Sequence, residues 1–190
     1  MAFALAINWL LEESEKADRE KSNNDPDLYM LNAAISQYDN EGKLQHILKA
    51  GRFTHFPLTD LTTMKAPSIS LEPLGDGTSW VISSEDGRLL PASSYREEIV
   101  ELWNQVLAAS TNPDGDFINI QTESLTVYPE REYLETDRKV YIDSESGRTT
   151  AAGMKAWLDT GKFIFYSTSQ ERVRTILLPG KWPNRLESSS

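Results

Sequence analysis

Apolar residues recur at helical spacing through the first third of the chain. Phe3, Ile7, Leu10 and Leu11 predict an amphipathic helix over residues 3–21, supported by the i,i+4 pairs Glu12–Lys16 and Glu15–Arg19. Asp25 and Pro26 suit the cap and first turn of a second helix. Its apolar stripe is Leu28, Leu31, Ile35 and Tyr38. Leu44, Ile47 and Leu48, closed by Gly51, predict a short third helix. Beyond Gly51 alternation takes over. Residues 52–56 read as extended, 57–67 as a Thr/Pro-rich loop and 68–72 as a strand. Residues 79–83 and 88–90 flank Ser84-Glu85-Asp86-Gly87 and predict a β-hairpin. Ser94 and Glu97 stand at capping-box spacing before Ile99, Leu102, Trp103, Val106 and Leu107, which share one helical face, so a helix is expected over 95–109. Strands follow at 117–121, 125–128 and 139–142, then a short helix over 150–158. Residues 163–166 and 173–178 predict a closing hairpin.

These elements assemble into an α+β fold, an antiparallel sheet built from hairpins with amphipathic helices on one face. Residues 1–178 are expected to form a single domain, with 1–51 mainly helical and 52–178 mixed. Residues 179–190, which carry Pro179, Gly180 and Pro183 and end in three serines, read as an irregular tail.

Composition narrows the chemistry. The chain has no cysteine among its 190 residues, which removes disulfides, thiolate catalysis and zinc–thiolate sites together. The apolar beginning lacks a basic leader and runs directly into Glu12 and Glu13, so it reads as a helix rather than a signal peptide. No run approaches the ~18 apolar residues that span a bilayer. A cytoplasmic or virion location is the resulting expectation. Net charge is −10, and its distribution is uneven. Residues 162–190 carry five basic and two acidic residues, so an acidic body precedes a basic end. A surface of this sign disfavours direct binding to nucleic acid or anionic membrane.

Each chemical motif has a plainer alternative that the pattern favours. His46 and His55 lack a second ligand at metal spacing and read as structural or surface residues. Asp114 and Asp116 lie in Asn-Pro-Asp-Gly-Asp-Phe, too short for a calcium loop and well suited to a turn. Asp137-Arg138-Lys139 has the acid-x-Lys form of a metal-dependent nuclease, but an upstream acid (Glu123 or Glu130) is poorly placed. The glycines of Gly75-Asp76-Gly77 belong to a turn rather than a phosphate loop. No catalytic residue, metal ligand or cofactor is therefore expected.

The basic end offers a partner-binding candidate. Arg172 and Arg174 alternate on one strand face, and Lys181, Trp182 and Arg185 follow on the tail. Trp and Arg are enriched in binding hot spots. The plainer reading makes Trp182 a core plug and the arginines an edge-strand guard. The function expected is a non-enzymatic interaction or assembly subunit, of a phage neck or tail type, whose partner is a protein. That partner could be a second copy, joined basic end to acidic body. Two alternatives stand beside it. One is an acidic inhibitor or regulator of a nucleic-acid enzyme, using Glu12, Glu13, Glu15, Asp18, Glu97, Glu98 and Glu101; the other is the nuclease centred on Asp137 and Lys139.

Overall fold

A computed structural model describes residues 25–39, 41–73 and 78–178. Among them there is no α-helix, only strands and one 3-10 turn, Pro129–Arg131. The α+β expectation is therefore corrected to an almost wholly antiparallel β fold. The segment 3–21 lies outside the described residues. The second and third predicted helices are β1 (Leu28–Tyr38) and most of β2 (Leu44–Phe56), so residues 28–51 are not helical. The helix expected over 95–109 is the long strand β7 (Ile99–Thr111). Its supposed capping box is a tight turn in which Ser93 and Arg96 exchange backbone hydrogen bonds. The short helix over 150–158 is replaced by β11 (Gly147–Ala151) and β12 (Gly153–Trp157).

The remaining strands are β3 (Leu61–Lys65), β4 (Ser68–Leu71), β5 (Trp80–Ser83), β6 (Asp86–Leu90), β8 (Phe117–Tyr128), β9 (Tyr133–Thr136), β10 (Val140–Ser144), β13 (Lys162–Tyr166) and β14 (Arg174–Leu177). Two expected hairpins keep their strands but lose their pairing. β5 pairs with β4 and β7, while β6 pairs with β3 and β7, so β5 and β6 lie end to end rather than side by side. β13 pairs with β12, and β14 with β11.

These pairings reveal a simple plan. β1, β2, β7 and β8 each cross the whole molecule, and the ten short strands join collinearly as β3–β4, β5–β6, β9–β10, β11–β12 and β13–β14. The result is an antiparallel meander of nine rungs, five broken near the middle and the long strands bulged or kinked at the same level. The breaks lie level with one another. Leu31 pairs with Arg52 and Ala33 with Ala50, leaving Asn32 opposite Gly51. Asn32, Ala66, Asn104 and Gln105 all have positive φ at these breaks, a backbone state that costs an L-residue about 1–2 kcal/mol. Bulges and left-handed residues sharply bend a strand, and together they crease the sheet along one line.

The crease divides the sheet into two half-sheets. One holds β4, β5, β10, β11, β14 and the adjoining parts of the long strands. The other holds β3, β6, β9, β12 and β13 with the remaining parts. Their inner faces close over one apolar core. From the first half-sheet come Leu48, Ile69, Ile82, Ala108 and Ile120, and from the second Phe53, Met64, Leu102, Leu125 and Leu134. Each such Leu, Ile or Met contributes ~1.5–3 kcal/mol by leaving water. Outer faces carry the alternate residues, such as Lys65, Arg88, Glu101 and Lys155, as a sheet wetted on one side requires.

Candidate functional site: a folded groove and its two end rungs

Opposite the crease the ends of the two half-sheets approach each other, forming a mouth. The hairpin turns among the described residues fall there, alternating between its two lips. Residues 112–116 and 145–146 belong to the first lip; 129–132 and 158–161 belong to the second. At the early rungs the mouth is closed. His46, on the inner face of β2, is 2% exposed and its Nε2 lies 3.0 Å from Oε1 of Glu98, just ahead of β7 on the other half-sheet. The contact has ion-pair distance without the angles of a hydrogen bond, and Nδ1 of His46 finds no protein partner. Toward the later rungs the lips stand apart around a cleft of about 210 Å3, lined by Trp80, Ser110 and Ile118 from one side and Leu158, Gly161 and Phe163 from the other.

The inner lining stays apolar out to both end rungs. Met30 and Ile35 of β1 pack against the core at one end, and Phe163 and Phe165 of β13 do so at the other, their rings 6.3 Å apart. Among the described residues β1 pairs only with β2, β13 only with β12 and β14 only with β11. These outermost rungs also concentrate exposed apolar side chains: Leu28, Tyr29, Leu31 and Tyr38 at one end, and Val173, Ile176, Leu177 and Leu178 at the other. A sheet edge with apolar flanks is a template for adding a further strand.

The last rung depends on Gly147. Its φ is +146°, and a Cβ there would sit 2.0 Å from the carbonyl oxygen of Ile176 on β14. Thr149 and Thr175 then face each other with their hydroxyl oxygens 3.0 Å apart.

On the outer face of the second half-sheet an aromatic row crosses three rungs. Tyr128 and Tyr133 lie 5.5 Å apart, and Tyr133 and Trp157 5.1 Å apart. Arg131 stands over both tyrosine rings and Lys162 over Trp157. Both tyrosine hydroxyls donate to Glu135, at 3.1 and 2.8 Å. Burial and the neighbouring carboxylate push both phenols above their ordinary range, Tyr133 further than Tyr128.

The residues singled out from sequence are distributed as follows. Arg174 points outward from β14 beside Thr150, and Arg172 is exposed on the link that precedes it. Lys181, Trp182 and Arg185 lie outside the described residues. Asp114 and Asp116 occupy an exposed turn in which the Asn112 side chain accepts from the Asp116 amide at 2.8 Å. Asp137 and Lys139 sit at the crease; Lys139 pairs with Glu171 at 2.8 Å and exposed Asp137 with Arg138. Among the described residues no three His, Asp or Glu side chains gather as a metal site would require. The acidic face needed by an inhibitor does not form from Glu97, Glu98 and Glu101. They pair separately with Arg131, His46 and Arg88, and Glu98 turns to the inner face. His55, on the inner face near the first rung, lies 3.2 Å from the Thr62 hydroxyl. Neither the His46–Glu98 contact nor the tyrosine row was foreseen from sequence. Reading His46, Leu48 and Ala50 as an alternating strand is the signal that points His46 inward.

The fold is thus a creased antiparallel β meander with an apolar interior and two exposed end rungs. The chain belongs to the lipopolysaccharide-assembly, LptC-related family, whose model matches residues 1–174. A solved structure with a similar fold is that of LptH, the LptA homologous periplasmic component of the conserved lipopolysaccharide transport device from Pseudomonas aeruginosa. The TM-score is 0.52 and identity is 7%, over 80% of this chain and 94% of that one. No curated protein matches. The family makes this a non-enzymatic assembly component that works with protein partners, and the phage and nuclease readings are set aside. The cytoplasmic or virion location is overturned as well, because the structurally similar protein is a periplasmic component.

Proposed function

We propose that this chain is a periplasmic component of a lipopolysaccharide transport bridge. It shelters the acyl chains of the lipid between its half-sheets and joins neighbours through its first and last rungs. The observation that carries this reading is the apolar inner face, which runs from Met30 and Ile35 to Phe163 and Phe165 and reaches both end rungs. Acyl chains passing through water need such a lining, at about 0.8 kcal/mol per sheltered methylene. Because the number of rungs is odd, the first and last run in the same direction. A neighbour of the same fold stacked in the same orientation would therefore pair in parallel. That arrangement brings Phe163 and Phe165 of one component to Leu28 and Met30 of the next, and the lining continues across the joint. Arg172 and Arg174 flank the joint and, with Lys181, Trp182 and Arg185, would orient the partner. Whether the neighbour is a second copy or another protein of this fold is decided by the partner's edge, since backbone pairing serves either.

The experiment is site-specific photocrosslinking of the full chain with purified lipopolysaccharide. A crosslinker at inward-facing Ile118 should capture the lipid, and one at outward-facing Gln121 should not. Equal capture at both positions, or none, would overturn the reading.

A further inference from the structure

We infer that His46 and Glu98 form a clasp that holds the mouth shut over the early rungs, so that a ligand gains the inner groove there only when the two residues part. His46 stands in the inner row of the first half-sheet closest to the mouth, where its register partners lead to Leu71 and then Trp80. Glu98 belongs to the opposite half-sheet. The two are brought together by the fold across the mouth, since β2 and β7 are not neighbouring rungs. Their side chains are 3% and 14% exposed, so the contact lies on the boundary between core and water. The strap that carries Glu98 is held from outside, because neighbouring Glu97 binds Arg131 of the next turn along the same lip at 3.2 Å.

A polar contact in this place has a cost and a use. Burying an imidazole and a carboxylate among Leu71 and Trp80 is less favourable than burying two apolar side chains. The unsatisfied Nδ1 of His46 adds to that cost. Apolar packing alone would close this end more firmly. A polar pair at the edge of the core closes it reversibly, because Glu98 can turn outward and regain water. Among the described residues no such contact spans the cleft between Trp80, Ile118, Leu158 and Phe163 at the later rungs. The groove is thus closed at one end and ajar at the other, which gives a ligand a preferred side of entry. The purpose of the clasp rests on the lipid-carrying reading; its existence does not.

The absence of native cysteine allows a direct test. A single cysteine replaces Leu71, the inward register partner of His46, in the full chain, and its modification by a small water-soluble thiol reagent is timed. A second protein carries Val140→Cys, buried near the crease, where only global unfolding exposes the thiol. His46→Leu in the Leu71→Cys background should speed labelling about tenfold, because Glu98 loses its partner and leaves for water. His46→Gln, whose amide offers Glu98 a polar partner in the same place, should restore the slow rate. Labelling of Val140→Cys should be unchanged by His46→Leu. If His46→Leu leaves the Leu71→Cys rate unchanged, or accelerates both sites equally, the clasp is overturned. The same variants are then given a fluorescent long-chain fatty acid. Faster uptake by His46→Leu supports the clasp as a gate. Failure of every variant to bind the probe counts against the lipid-carrying reading while leaving the labelling result intact.

Discussion

Single residues fix both ends of this architecture. Gly147 allows β14 to approach β11 more closely than any side chain would permit. Gly147→Ala should therefore release the last rung without dissolving the rest. The expected loss is about 1–3 kcal/mol of local stability, read as faster amide exchange over residues 174–177 with β7 and β8 still protected. The tyrosine row makes a prediction about pH. The folded protein holds the phenols of Tyr128 and Tyr133 above their ordinary value of 10.0, so it favours their neutral form. A group raised in the folded state stabilises below its unfolded value and loses that contribution as pH rises. Stability should decline above about pH 10 as the unfolded phenols ionise. Replacing both tyrosines with phenylalanine should flatten that decline in thermal melts, whereas Tyr141→Phe, exposed on the other half-sheet, provides the control.

The crease explains, at the scale of elements, why several strands read as helices. In a plain strand inward residues fall at every second position. Here each long strand gains a residue or two where it crosses the crease, and the inward set skips. In β7 it runs Val100, Leu102, then Val106 and Ala108; in β2 it runs Leu48, Ala50, then Phe53. A skip of three or four imitates the spacing of a helical face. The short pieces between turns, such as 68–72 and 163–166, contain no crease and are legible as strands from sequence. Their pairing is not, because Ser84–Glu85 resembles a hairpin turn while serving as the kink between collinear strands. The antiparallel sheet was legible, then, but the helix read over 95–109 was an artefact of the crease. The strand that begins at Arg174 was legible too, although Arg172 falls on the link before it and its place in the last rung was not foreseen. The same kinks carry measurable strain. Ala66 has φ 49° and stands before Pro67, while its amide donates to the Glu85 carbonyl at 2.7 Å. Ala66→Gly should stabilise the protein by up to about 1 kcal/mol, the left-handed penalty less the added freedom of the unfolded chain, as measured by urea unfolding.

The whole molecule presents two ways of joining a neighbour, and they respond differently to salt. The sequence suggests charge: an acidic body, with a basic end containing Arg172 and Arg174. The fold suggests edges: backbone pairing between end rungs, flanked by exposed Leu31 at one end and Ile176 at the other. A joint made by charge weakens steeply as the Debye length contracts from about 10 Å at 0.1 M salt to about 3 Å at 1 M. A joint made by strand pairing and apolar contact persists. Leu31→Lys and Ile176→Lys separate the two, because each places a charge on an exposed end rung, where edge-to-edge pairing is suppressed. Neither side chain packs in the core, so thermal stability should stay within about 0.5 kcal/mol of the parent. Association with a partner, followed by light scattering or by capture on an immobilised component, should then fall at least tenfold for either variant at both low and high salt. Arg172→Ala and Arg174→Ala should slow association at low salt and have little effect at high salt, as expected of residues that steer rather than hold. If instead the lysine variants associate normally and salt alone dissolves the complex, the rungs are not the joint. The acidic body and basic end would then hold neighbours together without a continuous sheet, and the inner lining could not pass unbroken from one component to the next.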